Sequence, residues 1–236
     1  MSAVQDLLDA IFEDARPPFY DEFAGWVRDS RRFKAFATAY QAKIRAKLKQ
    51  QMRQADTLRD LRAELAAAVL MLRDERLSVE YEKRSVTSGR APDYTLTYRT
   101  HTPFNVEVRR IHPVDTAAGE SDDADSRKVK LMAILCEKVG QMPPGMTNFL
   151  WLADERAIAH AEIAQAGVTL RTLAEHKDEA FFTRRGFASA AAFLKQYQAL
   201  SGIVHHLPGQ ITLYPNPVAR YKPSPDIALA LTRLLP

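Results

Sequence analysis

The spacing of apolar residues changes twice along the chain, and the changes divide it into three stretches. Through the first seventy or so residues the repeat is helical. Phe33, Phe36, Tyr40, Ile44, Leu48 and Met52 recur at steps of three and four, and Leu58, Leu61, Leu65, Val69 and Leu72 form a second stripe. Asp56 or Thr57 is placed to cap the second helix. The period then drops to two. In "LSVEYEKRSV" Leu77, Val79 and Tyr81 alternate with Ser78, Glu80 and Glu82. "DYTLTYRT" and "FNVEVRRI" continue the alternation, with Gly and Pro in "TSGRAPD" marking a turn before them. In "FNVEVRRI", Phe104, Val106 and Val108 take one face, and Asn105, Glu107, Arg109 and Ile111 take the other.

"HPVDTAAGESDDADS" reads as a polar, mobile loop, leading to a helix whose stripe is Val129, Met132, Ala133, Cys136 and Val139. "NFLWLA" is nearly all apolar, as suits a strand covered on both faces. Residues 157–200 return to helix. "GIVHH" and "ITLYPN" predict two short strands, and Pro225 after Ser224 opens a closing helix. The central order of helix, three strands, helix and strand predicts an α/β fold: a mixed sheet between helices.

Composition narrows the class. With 46% hydrophobic and 26% charged residues in 236, the chain is that of a soluble globular protein. Its longest apolar run, "LAAAVLML", is too short to span a bilayer, and its acidic start does not resemble a signal peptide. The single cysteine, Cys136, leaves no intramolecular disulfide or Cys-rich zinc site, and a cytoplasmic location is expected. Between residues 28 and 62 lie eleven Lys or Arg against Asp29, Asp56 and Asp60. Such a segment can track a phosphate backbone, although a solvated helix face is the commoner meaning.

The chemistry concentrates in two strands and the helix before them. If "DYTLTYRT" pairs with "FNVEVRRI", Asp93, Glu107 and Arg109 share one end of the sheet, and Glu64, flanking its helix's apolar stripe, leans over the same edge. Three carboxylates make an oxygen-rich site for Mg²⁺ or Mn²⁺. Each also has an ordinary meaning: a helix ion pair for Glu64, a turn former for Asp93, and cross-strand partners for Glu107 and Arg109.

Asp93 after Pro92, followed by Glu107-Val108-Arg109 in this element order, resembles the PD-(D/E)XK nuclease superfamily. The tail "LSGIVHH…LYPNPVARYKPSPDIALAL" is similar to the end of poorly characterised bacterial proteins of that fold. The resemblance implies a restriction-endonuclease-like sheet over residues 56–236, with 1–55 as an added helical region. It also implies metal-dependent hydrolysis of DNA phosphodiester bonds, with Glu64, Asp93 and Glu107 as metal ligands and Arg109 in the place of the usual motif lysine. Arginine stays protonated, so any role needing a neutral amine is closed to it. Lys128 and Lys130 are candidate substitutes. The alternative is a silent nuclease-fold scaffold, Arg109 pairing with Asp93 and Glu107, that binds nucleic acid or a protein. The expected partner is DNA through the basic N-terminal helices, with no membrane; a homodimer stays open.

Other signals carry less. His205 and His206 point to opposite faces of a strand and cannot chelate one ion together, and "GESDDADS" lacks calcium-loop spacing. Trp26, Phe36 and Tyr40 have the spacing of core residues. Arg184 and Arg185 are a weak phosphate signal.

Overall fold

The computed structural model describes residues 3–83, 91–112, 124–155 and 158–235. Five helices lead in: α1 (Ala3–Phe12), α2 (Tyr20–Asp29), α3 (Arg31–Ala39), α4 (Gln41–Gln51) and α5 (Ala55–Met71). Strands β1 (Leu77–Tyr81), β2 (Tyr94–Tyr98) and β3 (Thr102–Arg110) follow, then α6 (Ala124–Val139) and β4 (Thr147–Ala153). Three more helices, α7 (His160–Glu175), α8 (Glu179–Thr183) and α9 (Ala190–Tyr197), precede β5 (Gly202–Leu207), β6 (Gln210–Pro215) and α10 (Pro225–Thr232).

The six strands form one mixed, open sheet in the order β1-β2-β3-β4-β5-β6. The first three make an antiparallel meander, β3, β4 and β5 run parallel, and β6 returns antiparallel. Each parallel step needs a crossover, supplied by α6 and then by α7–α9. Alternation along β4 sends its side chains to two separate cores. Phe104, Val106 and Val108 join α1–α5 and α10 in one, whereas α6, α7 and α9 pack on Leu150, Leu152 and Ile203 in the other. The helices before Ala55 share the first core with the sheet.

Local chemistry explains several boundaries. Ser224 accepts from the Ile227 N–H with Pro225 at the first helical turn, and Ser30, Asp178 and Ser189 cap α3, α8 and α9 in the same way. Gly202 permits close packing of β6, since a Cβ there would lie 2.9 Å from the Tyr214 carbonyl oxygen.

Three expectations change. The stripe Phe33–Met52 is not one helix: the backbone leaves helical geometry at Tyr40, so α3 packs on α2 while α4 turns onto α1 and α5. Neither Asp56 nor Thr57 caps α5, whose N-cap is Gln54; the Thr57 hydroxyl donates to the Gln54 carbonyl instead. In α6, Val129 is 51% exposed and Ala133 is exposed, while Leu131, Leu135 and Lys138 are buried. The buried face is thus rotated from the one read off the pattern. The "TSGRAPD" turn and the acidic loop lie largely outside the described residues.

Candidate functional site

Register builds the centre of the site. Tyr94 pairs with Val106, so the residue before it, Asp93, arrives opposite Glu107. The two acids clasp the strand pair. The Asp93 N–H donates to Glu107 Oε2 at 3.4 Å, and Asp93 Oδ2 accepts from the Val108 N–H at 2.8 Å. Glu107 shares its sheet face with Arg109, beneath α6.

A lysine from α6 completes this half. Lys138 is 5% exposed, and its Nζ lies 2.7 Å from Glu107 Oε1 and 3.3 Å from Gln141 Oε1. Glu107 and Gln141 also line a small recess of about 10 Å³, room for about one water.

The second half comes from the opposite side of the sheet. Glu64 on α5 is buried, and its backbone carbonyl accepts from the Tyr94 hydroxyl at 2.9 Å. Lys47 on α4 places Nζ 2.6 Å from Glu64 Oε1 and 2.8 Å from Glu82 Oε1. Lys43 fastens the same helix to the end of β1 through the Tyr81 and Glu82 carbonyls, at 2.9 and 3.1 Å.

The electrostatics join the halves. Burial pushes the Asp93 carboxyl well above the usual range, and the charges of Glu64 and Glu107 push it further, with Lys47 opposing. Burial also raises Glu64 against the pull of Lys47. Burial disfavours the Lys47 ammonium, but Glu64 and Asp93 outweigh it and hold the lysine protonated above its ordinary value. Of these carboxyls, Asp93 is therefore the one on which burial and two like charges converge to favour a bound proton.

No family model, curated protein or solved structure matches the chain. The residues must carry the reading alone. Asp93 and Glu107 are brought together, and Glu64 is near enough to raise the Asp93 pKa. Arg109 points elsewhere: it pairs with Glu137 at 3.8 Å, and among the described residues its buried Nε has no hydrogen-bond partner. Lys128 pairs with Asp125 on its own helix. Sequence reasoning missed Lys138, Lys47 and Glu82. Lys138 had a readable signal, since it continues the apolar stripe Leu131–Leu135 and so had to point inward. Lys47 and Glu82 had none.

The donors are all carboxylate oxygens, the chemistry a hard divalent cation takes, and the charges of Glu64 and Glu107 raise the proton affinity of Asp93. Among the described residues, however, no group of three or more His, Cys, Asp or Glu is arranged to hold a metal ion. Lys47 and Lys138 instead serve as counter-ions to Glu64 and Glu107.

The basic segment is largely occupied. Arg32 donates to the Leu72, Asp74 and Leu77 carbonyls, Lys49 pairs with Glu13, and Arg62 bridges Glu22 and Glu155. Arg31 and Arg53 remain exposed. Arg184 and Arg185 fold back on carbonyls of α8. None of the described helices is long and apolar enough to cross a membrane.

Proposed function

We propose that the protein is a metal-dependent phosphodiester hydrolase of the PD-(D/E)XK, restriction-endonuclease-like type, acting on DNA. The observation that carries this reading is the Asp93–Glu107 clasp with Lys138 at 2.7 Å from Glu107. Asp93 and Glu107, with Glu64 beside them, would hold Mg²⁺ or Mn²⁺. Such a cation would neutralise charge at the scissile phosphate and make a nearby water more acidic. The Val108 N–H and the Asp93 N–H hold the two carboxylates in place. Lys138 takes the part of the motif lysine in place of Arg109: its ammonium orients a water and faces charge developing on the phosphoryl oxygens. Arg31 and Arg53 are exposed basic side chains of the N-terminal segment that can meet the DNA backbone.

The test is nicking of supercoiled DNA with Mg²⁺ and with Mn²⁺, comparing wild type, Glu107→Ala and Lys138→Ala. Cleavage by wild type and its loss in both variants is expected. Absence of cleavage of DNA or RNA by wild type, with no metal binding by calorimetry, defeats the proposal.

One observation favours a silent nuclease-fold scaffold instead. Glu64 and Glu107 each carry a lysine ammonium, and among the described residues no set of three acidic or imidazole ligands is gathered. On that reading Lys47→Ala and Lys138→Ala leave cleavage at zero while salt-dependent DNA binding persists.

A further inference from the structure

A crevice of about 280 Å³ opens between α2, α5 and the carboxyl ends of the parallel strands β4 and β5. It lies across the sheet from Lys138, whose helix packs on the other core. Arg62, Ala66, Val69 and Arg73 line it at steps of three and four, so one stripe of α5 and its last turn faces the opening. Glu64 stands about 200° around the helix from Arg62, which keeps the carboxylate cluster off this stripe.

The two ends of the crevice differ in charge. At one end Arg62 binds both oxygens of Glu22, at 2.6 and 2.9 Å, and one oxygen of Glu155 at 3.0 Å. Two carboxylates on one guanidinium leave negative charge in excess, and the Glu155 side chain is 52% exposed. The remaining acid of the lining, Asp154, is engaged by His205 at 3.0 Å. At the other end, roughly 16 Å along the helix axis, stands Arg73. Its guanidinium is exposed and, among the described residues, has no ion pair or hydrogen-bond partner.

The walls between these ends are aromatic and apolar. Trp26 is half-buried and meets Phe33 edge-on, with ring centroids 5.8 Å apart. Ala63, Ala66, Val69 and Leu70 form the facing floor. His206 is half-buried against Trp151, and among the described residues its ring nitrogens have no hydrogen-bond partner. Burial and the neighbouring His205 hold its pKa below the ordinary value, so the ring is neutral near pH 7 and offers one donor and one acceptor.

A free cation at one end, carboxylates at the other and an indole between them define the ligand. An amino acid zwitterion carries its charges on neighbouring atoms and cannot reach both ends. A nucleotide carries its phosphate and the amino edge of its base at opposite ends. We propose that this crevice binds a nucleoside monophosphate whose base has an exocyclic amine, cytidine monophosphate in the first instance. The base stacks on Trp26, its amine donates to Glu155, and Arg73 meets the phosphate. His206 supplies the remaining polar contact. None of this depends on hydrolysis at Asp93 and Glu107.

The test is calorimetric titration of the full chain with cytidine monophosphate, uridine monophosphate, cytidine and inorganic phosphate. Wild type should bind one equivalent of cytidine monophosphate. Cytidine, lacking the phosphate, should bind at least about tenfold more weakly. Uridine monophosphate, with a carbonyl where the amine was, should bind at least about fivefold more weakly. Arg73→Ala, at an exposed position, should reduce cytidine monophosphate to the affinity of cytidine, and Glu155→Ala should close the gap between the two nucleotides. Bound nucleotide should quench tryptophan emission in wild type and not in Trp26→Phe. Glu107→Ala should bind as wild type does; loss of binding there would move the nucleotide to the carboxylate cluster and overturn the crevice as its site. No heat with cytidine monophosphate, or undiminished binding by Arg73→Ala, would overturn it equally. Inorganic phosphate binding as tightly as the nucleotide would do the same, leaving a bare anion contact.

Discussion

The carboxylate cluster at β2–β3 and the histidine cluster at β4–β6 stand on one sheet and solve opposite problems. At the first, carboxylates crowd together and lysines from α4 and α6 supply positive charge. At the second, a buried acid fixes one histidine and leaves two ring nitrogens facing each other. The first is an excess of charge that a cation or a proton can relieve. The second is a chain of hydrogen bonds in which Asp154, His205, His160 and Tyr214 partner one another. Burial makes both expensive to leave unresolved, because a charge or polar group without a partner is costly away from water.

The sharpest break in this comparison comes from Lys138. Its side chain is 6% exposed and that of Glu107 11%, so Lys138→Met strands a buried carboxylate. A loss of about 3 kcal/mol is expected in urea unfolding, much of it recovered when Glu107→Gln is added. Full additivity of the two changes would show that the pair is not a unit.

The histidine end should respond next. Asp154→Ala leaves the His205 Nε2–H and the Ile158 N–H without that acceptor and should cost about 2 kcal/mol in the same measurement. An effect within error would separate the ring from its carboxylate.

Asp93 tests the sign of the first cluster. Its folded pKa lies above the unfolded value, so between the two the native chain holds a proton that the unfolded chain has lost. Stability is therefore lost as pH rises through that window. Asp93→Asn removes the loss and should stabilise the metal-free protein by about 1 kcal/mol at neutral pH, with the gain fading in acid. Thermal melts across pH that favour wild type at neutral pH would reverse the assignment.

The smallest effect belongs to Lys128, on the same helix as Lys138 but paired with an Asp125 side chain that is 87% exposed. Lys128→Ala should change stability by less than about 0.5 kcal/mol and leave any cleavage intact. A large effect would mean that the helix presents another face to the site.

Much of this architecture was legible because local periodicity reports burial directly. The alternation of Leu77, Val79 and Tyr81, the Phe104–Val108 face and the Ser224–Pro225 helix start all correspond to observed elements. Periodicity failed where a helix changed direction without changing its pattern, as at Tyr40, and where an amphipathic residue extended a stripe, as at Lys138. Asp93 and Glu107 were readable as neighbours because a short turn connects their strands. His205 and His206 were rightly placed on opposite faces, His205 at 0% exposure and His206 only partly buried. The partners of His205, however, Asp154 and His160, lie fifty-one and forty-five positions away in sequence.

By itself, then, the chain determined its α/β class, its strands and the pairing of Asp93 with Glu107. These depend on contacts between near neighbours, whose geometry the backbone repeats impose. Only the tertiary structure decided which cations meet those acids, where Arg109 points and which nitrogen faces His205. Those contacts join α4, α6 and α7 to distant strands, and helix packing, not the local repeat, sets which side chain arrives.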